Sequence, residues 1–339
     1  MRIKCGPVCD VSNSIRKDML EKLQPVMDIR GIANLSDCAA CALVSRSANS
    51  GEWKAVLPRD ITEKSKGKWI LETLDSPLID VFTVMRAYSL EVVSKLSQDE
   101  KTVVLMMDQS QIREGCQILM VSVRFQGRGL PLFWKIKETK GAIGLETQRE
   151  VLEGVKKMLP PETKVLLSAD RFYGTKNLVE LCQENNWSYR IRLKGNLAFQ
   201  HEGRKITATD AGKTPESCVI GASFNNSNIS TNIGYLHEKN HPEPWIIAMD
   251  CEPSKSKILE YGMRWGIECM FSDFKSRGFS ITDTQIQRIN RMENLVLALT
   301  IALYWAVSVG MTPPERESKN TQKKTIDRYA RCLKKECEK

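Results

Sequence analysis

Little in this chain of 339 residues is extreme. Glycine (20) and proline (13) are too few for a collagen-like or mucin-like chain, and eleven cysteines are too sparse for a disulfide scaffold. The first twelve residues hold no apolar stretch of the kind that makes a secretory signal, so the thiols are expected to be reduced, in a cytoplasmic protein. Cys38 and Cys41 form a CxxC, but no second CxxC and no paired histidines stand at a ligand-like distance. Cys5/Cys9 and Cys332/Cys337 lie at opposite ends of the chain, so no zinc site is expected. Gly212-Lys213-Thr214 looks like the end of a phosphate-binding loop, yet Thr207 stands where that motif needs glycine. The longest apolar run, LVLALTIALYWAVSVG at 295–310, is interrupted by Thr300, Ser308 and Gly310, with Pro313 and Pro314 close behind. A span needs about 20 apolar residues, so a buried core helix is expected here and no membrane partner. No internal repeat is visible.

What is present is an ordinary globular composition, 42% hydrophobic and 27% charged, with a net charge of +9 that suits a polyanionic partner without requiring one. Helix-like spacing runs through residues 1–98, as in Ile15, Met19, Leu23 and Val26 and again in Val81, Val84, Met85 and Tyr88. Between them the polar, basic stretch 50–68 reads as a loop leading to a short helix at Trp69–Leu74. From residue 102 the pattern changes. Val103–Met107 reads as a buried strand ending at Asp108. Strands at 117–125 and 130–137 follow across a Gly127-Arg128-Gly129 turn, then a helix over 144–159 stopped by Pro160 and Pro161. Val165–Ala169 is a second buried strand, ending at Asp170, with a helix (175–184) and a strand (187–194) behind it. Three strands of a meander followed by alternating α and β elements fit an α/β fold of the ribonuclease H type. Residues 195–244, rich in Asn, Ser, Thr and Gly, read as a small β or loop insertion. Trp245–Met249 returns to a buried strand, and 257–275 reads as one long helix.

Two apolar strands thus end in carboxylates, which either cap a turn or display chemistry at strand ends. The helix YGMRWGIECMFSDFK at 261–275 adds to this. At about 100° per residue, Tyr261, Arg264, Glu268 and Lys275 fall on a stripe about 60° wide. A solvated helix face gives such a stripe as well, although a Glu held between Arg and Lys is a carboxylate well placed to stay ionised.

In its residues this line resembles the Tyr-Arg-Glu-Lys signature of DDE transposases of the insertion sequence four type, found in bacterial insertion elements. The segment VLMMDQS at 104–110 resembles the family's first-Asp strand, and SADRFYG at 168–174 its second-Asp segment, without a glycine that often follows the arginine. Lys275–Phe279, the apolar helix ending at Trp305, and Glu243-Pro244-Trp245 before a buried strand also follow the family order. The likeness covers about residues 99–310; residues 1–98 match weakly.

The resemblance implies a ribonuclease H-like core at 99–195 and 246–310 split by a β/loop insertion at 196–245. A helical DNA-binding domain at 1–98 precedes it and a basic tail at 311–339 follows. It implies that Asp108, Asp170 and Glu268 are catalytic and hold two Mg2+ ions, with Mn2+ able to substitute. Two such ions would activate an oxygen nucleophile on one side of phosphorus and stabilise the leaving oxygen on the other. Tyr261, Arg264 and Lys275 are assigned to phosphates of the cleaved end, and Trp245 and Trp265 to a base flipped out beside a DNA hairpin. Arg171 either contacts DNA or makes a structural ion pair. The partners implied are double-stranded DNA, as terminal inverted repeats and as target, and a second subunit in a homodimeric synaptic complex, acting at the bacterial nucleoid. Two readings compete: a catalytically silent, transposase-derived DNA-binding protein, and a ribonuclease H-like nuclease.

Overall fold

The computed structural model describes residues 7–239 and 242–311. Five helices come first: α1 (Pro7–Leu23), α2 (Ile29–Ser45), α3 (Ser50–Val56), α4 (Glu63–Leu74) and α5 (Val81–Leu96). Asp28, Asn49, Thr62 and Asp80 stand just before α2 to α5, and each accepts a hydrogen bond from a first-turn backbone N–H. The stretch 50–68 is therefore mostly helical, not the loop its polarity suggested. Its few apolar residues do the anchoring. Trp53 is fully buried with its indole N–H on the Ser47 carbonyl at 2.6 Å, and Arg59 lies 4.0 Å over the ring of Trp69.

A ten-stranded sheet follows. Strands β1 (Val103–Arg113), β2 (Cys116–Phe125) and β3 (Arg128–Glu138) form an antiparallel meander. After α6 (Leu145–Met158) the chain enters β4 (Val165–Ala169), which pairs with β1 in parallel, and after α7 (Lys176–Glu184) it enters β5 (Ser188–Arg192), parallel to β4. Strands β6 (Ala198–His201), β7 (Arg204–Thr207), β8 (Cys218–Phe224) and β9 (Ser230–Leu236) extend the same sheet through β10 (Trp245–Met249), which lies antiparallel between β5 and β9. The order is β3-β2-β1-β4-β5-β10-β9-β8-β6-β7. The segment 195–244 is thus a set of strands that continues the sheet. Asp108 lies mid-strand instead of closing a short one, because β2 keeps pairing with β1 as far as Arg113.

One hydrophobic cluster runs from Val8 in α1 to Ala306 in the last helix, α10 (Ile289–Met311), so the first five helices share their core with the sheet. Helix α10 is long and apolar enough to cross a membrane, yet two-thirds of its apolar window (67%) is covered by protein. Tyr304 donates to the Pro131 carbonyl at 2.8 Å, and Asn294 to the Leu74 carbonyl at 2.9 Å. These contacts are those of a core helix. The tail from residue 312 onward lies outside the described residues.

Candidate active site

The parallel register sets the first two carboxylates side by side. Met107 pairs with Ala169, and Ala169 with Ile191. Continuing that register by one position puts Asp108 on β1, Asp170 just after β4 and Arg192 at the end of β5 in one row. Each Asp accepts a hydrogen bond from the next backbone N–H: Gln109 to Asp108 at 2.8 Å and Arg171 to Asp170 at 2.6 Å. Beneath them Tyr173 is buried and donates to the Gln109 side-chain oxygen at 3.2 Å, which also accepts from the Ile143 N–H at 3.0 Å. Gly174 makes this turn possible. A Cβ there would sit 2.4 Å from the Arg192 carbonyl oxygen, so any larger residue would push the Asp170 turn off β5.

The segment 257–275 is not one helix. Helix α8 (Lys255–Leu259) passes into a 3-10 turn at Glu260–Arg264 and then into α9 (Trp265–Phe274), and Lys275 already has non-helical dihedrals. The 3-10 turn interrupts the straight helix, yet Tyr261, Arg264 and Glu268 still meet on one side of it, and only Lys275, past the end of α9, leaves the stripe. The turn is held from two sides. Arg124 donates to the Met263 carbonyl at 2.8 Å, and Arg190 pairs with Glu260 at 2.7 Å. Helix α9 lies close on the sheet because Gly266 meets the backbone of Arg128; a Cβ would fall 3.0 Å from the Arg128 carbonyl carbon and 3.2 Å from the Met106 sulfur. Gly266→Ala is expected to cost about 1–3 kcal/mol of stability through overpacking, read as a lower denaturant midpoint. An unchanged midpoint would show that the helix has room to lift.

Arg264 brings the row and the helix together. It pairs with Asp108 at 2.9 Å and with Glu268, and its Nε donates to the Tyr261 hydroxyl at 3.1 Å. Its side chain is only 11% exposed. Asp108, Glu268, Tyr261 and Arg264 therefore form one cluster, with Asp170 near enough for its charge to act on Asp108 and Arg264. Lys275 stands apart from it, at the end of α9 beside Ser110 and Gln111 of β1. Trp245 packs edge-on against Tyr261, with centroids 5.2 Å apart, while Trp265 is 64% exposed. Arg171 is exposed and pairs with Glu243 at 3.0 Å.

Burial pushes the Asp108 carboxyl up from its ordinary 3.8 to about 6; Arg264 and the Gln109 N–H oppose the rise, and the charge of Asp170 adds to it. Burial also works against the charge of Arg264, but the Tyr261 hydroxyl and the carboxylates of Asp108, Glu268 and Asp170 outweigh it and raise its pKa. The guanidinium is charged at any working pH, so the pair responds to pH through Asp108. Burial raises the Tyr261 pKa and lowers that of Lys275. Among the described residues no three His, Cys, Asp or Glu side chains are gathered closely enough to cage a metal ion; Arg264 stands between Asp108 and Glu268.

Sequence reasoning passed over Gln109, Tyr173, Arg190 and Arg192. The signal for the last two was the alternation YRIR at 189–192, two arginines in an otherwise buried strand.

A meander joined to two parallel strands forms a large mixed α/β sheet that carries Asp108 on β1 and Asp170 just after the neighbouring β4. Residues 144–305, a little under half of the chain, match the family described as "Transposase DDE domain", and the match supports a DDE transposase, an enzyme that acts on DNA. Asp170 and Glu268 fall inside the matched span and Asp108 ahead of it. No curated protein matches the chain.

Proposed function

We propose that the chain is a cut-and-paste transposase of the insertion sequence four type. In this reading it cleaves DNA at the ends of its element and joins the freed 3′-hydroxyl to target DNA, passing through a hairpin, with two subunits in the synapse. The observation that carries the proposal is Arg264 held between Asp108 and Glu268, with the charge of Asp170 acting on both Asp108 and Arg264, in a chain that matches a transposase family.

Carboxylate oxygens are the donors a hard divalent cation takes, Mg2+ or in its place Mn2+, once Asp108 and Glu268 are released from Arg264. Asp108 is a carboxylate that burial pushes up to about 6, and the charge of Asp170 adds to the rise, so a cation beside both would favour its ionised form. Asp108, Asp170 and Glu268 would hold the ions. Bound there, such ions polarise the scissile phosphate and stabilise the leaving oxygen. The protein's own groups bind and orient the DNA. Arg264 presents a planar fork to a phosphate, and a phosphate that takes it frees Asp108 and Glu268. Tyr261 steadies that fork from Nε, and Lys275 holds the strand further along β1. The exposed face of Trp265 offers a surface for an unstacked base, with Trp245 braced behind Tyr261.

A second reading is favoured by one observation. Arg264 neutralises two of the three carboxylates, and in this second reading the chain binds DNA without cleaving it. The test is to incubate the protein, Mg2+ and a duplex carrying the ends that flank its gene. Nicks and hairpins at those ends support the transposase; binding with no cut at any Mg2+ or Mn2+ concentration supports the silent form.

The pH response has two opposite signs. Asp108 must be ionised to bind a cation, so at sub-saturating Mg2+ nicking is expected to fall about tenfold per pH unit below about 6. Stability moves the other way. A carboxyl whose pKa is raised by folding favours the folded state when protonated, so this group adds stability as pH drops from about 6 toward 3.8 and removes it as pH rises through that window. Nicking rates and thermal melts over the same buffers measure both. An acid limb of activity centred near 3.8 would contradict the assignment.

A further inference from the structure

Beside Asp170, on the side away from Asp108, two arginines converge on one oxygen. Arg171 Nη1 lies 3.0 Å and Arg192 Nη2 3.1 Å from the same Oε2 of Glu243, and Arg192 also donates to the Pro244 carbonyl at 3.4 Å. The two guanidinium groups come from different elements, the turn after β4 and the end of β5, and Arg192 is the next member of the register row that holds Asp108 and Asp170. Next to them Phe172 leaves its ring 56% exposed, with the Lys194 ammonium 5.4 Å from its centroid. An anionic oxygen held by two guanidinium groups, with an open aromatic ring and an ammonium alongside, has the chemistry that recognises a phosphodiester and its neighbouring sugar or base.

We propose that Arg171 and Arg192 form a backbone-phosphate subsite for DNA, and that Glu243 fills it as an internal phosphate mimic that the DNA displaces. The inference rests on the reading that the chain binds DNA. Glu243 is 58% exposed, so its side chain can swing into water without unpacking the core. Because the pair is exposed, the competition is mild and reversible. Its effect is to raise the threshold for nonspecific DNA while leaving the subsite formed in the free protein.

The test is metal-free binding of the full chain to a short labelled duplex, followed by anisotropy across a range of salt. Glu243→Gln is expected to tighten binding about 3–10-fold, since the competing charge is gone but the arginines remain. Arg171→Ala with Arg192→Ala is expected to weaken binding and to flatten the salt dependence by about one to two units of slope, each lost phosphate contact removing about 0.9. In that double-arginine background Glu243→Gln should gain less than about twofold. An equal gain in both backgrounds would mean that Glu243 acts only as a distant charge, and would overturn the subsite. Saturable binding of inorganic phosphate alone below the millimolar range would make this a free-anion site and overturn the DNA assignment. A wild-type chain that binds no duplex at low salt would remove the DNA reading itself, whereas wild-type binding with an inert Glu243→Gln removes only this proposal.

Discussion

Asp108→Asn and Glu268→Gln are each expected to lower nicking of an element-end duplex by about a thousandfold or more while the protein stays folded. Both changes keep the side chain's shape and remove one anionic oxygen from the cluster around Arg264. Their effects on stability should differ. Asp108 is 18% exposed and titrates near 6 rather than 3.8, so at neutral pH its charge works against the fold. Replacing it with Asn should raise stability by about 1–3 kcal/mol, the order of the shift it relieves. Glu268 is 35% exposed, and its loss leaves Arg264 still paired with Asp108, so Glu268→Gln should change stability by less than about 1 kcal/mol. An inactive yet more stable Asp108→Asn would mark a residue kept for chemistry at the expense of the fold. Retention of more than about a tenth of wild-type nicking in either variant would sink the site assignment.

That contrast also shows where the sequence was readable. The strands Val165–Ala169 and Trp245–Met249 match their apolar runs residue for residue, because a strand covered on both faces has no polar positions to blur its ends. The row Asp108–Asp170 was visible as two runs each followed by Asp, although β1 continues past its Asp. The continuation, DQSQIR at 108–113, is polar on the exposed side and reads as a loop unless β2 is known to pair with it. Helix α3 and the first half of α4 were hidden for a similar reason, since polar residues outnumber the few buried ones that anchor them, while the end of α4 at Trp69–Leu74 was read as helix. Of the tetrad Tyr261, Arg264, Glu268 and Lys275, the first three meet as the pattern suggested, whereas Lys275 lies past the end of α9. Helical periodicity assumes one helix, and nothing local in EYGMR announces a 3-10 turn; that turn follows from Arg124 and Arg190, far away in sequence. The inward turn of Arg264 was equally out of reach, because it depends on where β1 places Asp108.

Arg190→Ala is expected to cost about 3 kcal/mol or more, the largest effect on stability of any single change outside the apolar core. The side chain is 3% exposed, and every nitrogen of its guanidinium is engaged. Nε donates to the Lys257 carbonyl at 3.1 Å. Nη1 donates to the Tyr189 carbonyl at 2.7 Å and to Asp250 at 2.8 Å, and Nη2 to Glu260 at 2.7 Å and to the Cys251 sulfur at 3.3 Å. One buried cation therefore ties β5 to the residues after β10, to α8 and to the 3-10 turn that carries Tyr261 and Arg264. Removing it leaves Asp250 partly buried without a counter-charge and Glu260 with Lys257 alone, and the uncompensated charge at Asp250 sets the size of the loss. Arg190→Lys restores the charge but not the fork; a single ammonium cannot reach both carboxylates and two carbonyls, so it should recover less than half of the stability. The turn it anchors lies next to the cluster, so Arg190→Lys should also lower nicking while its folded fraction stays high. Urea unfolding of the two variants, with nicking measured on the folded Arg190→Lys protein, separates these effects. A cost below about 1 kcal/mol for Arg190→Ala would mean that water replaces the guanidinium and that the turn is held by Arg124 and the packing of α9 alone.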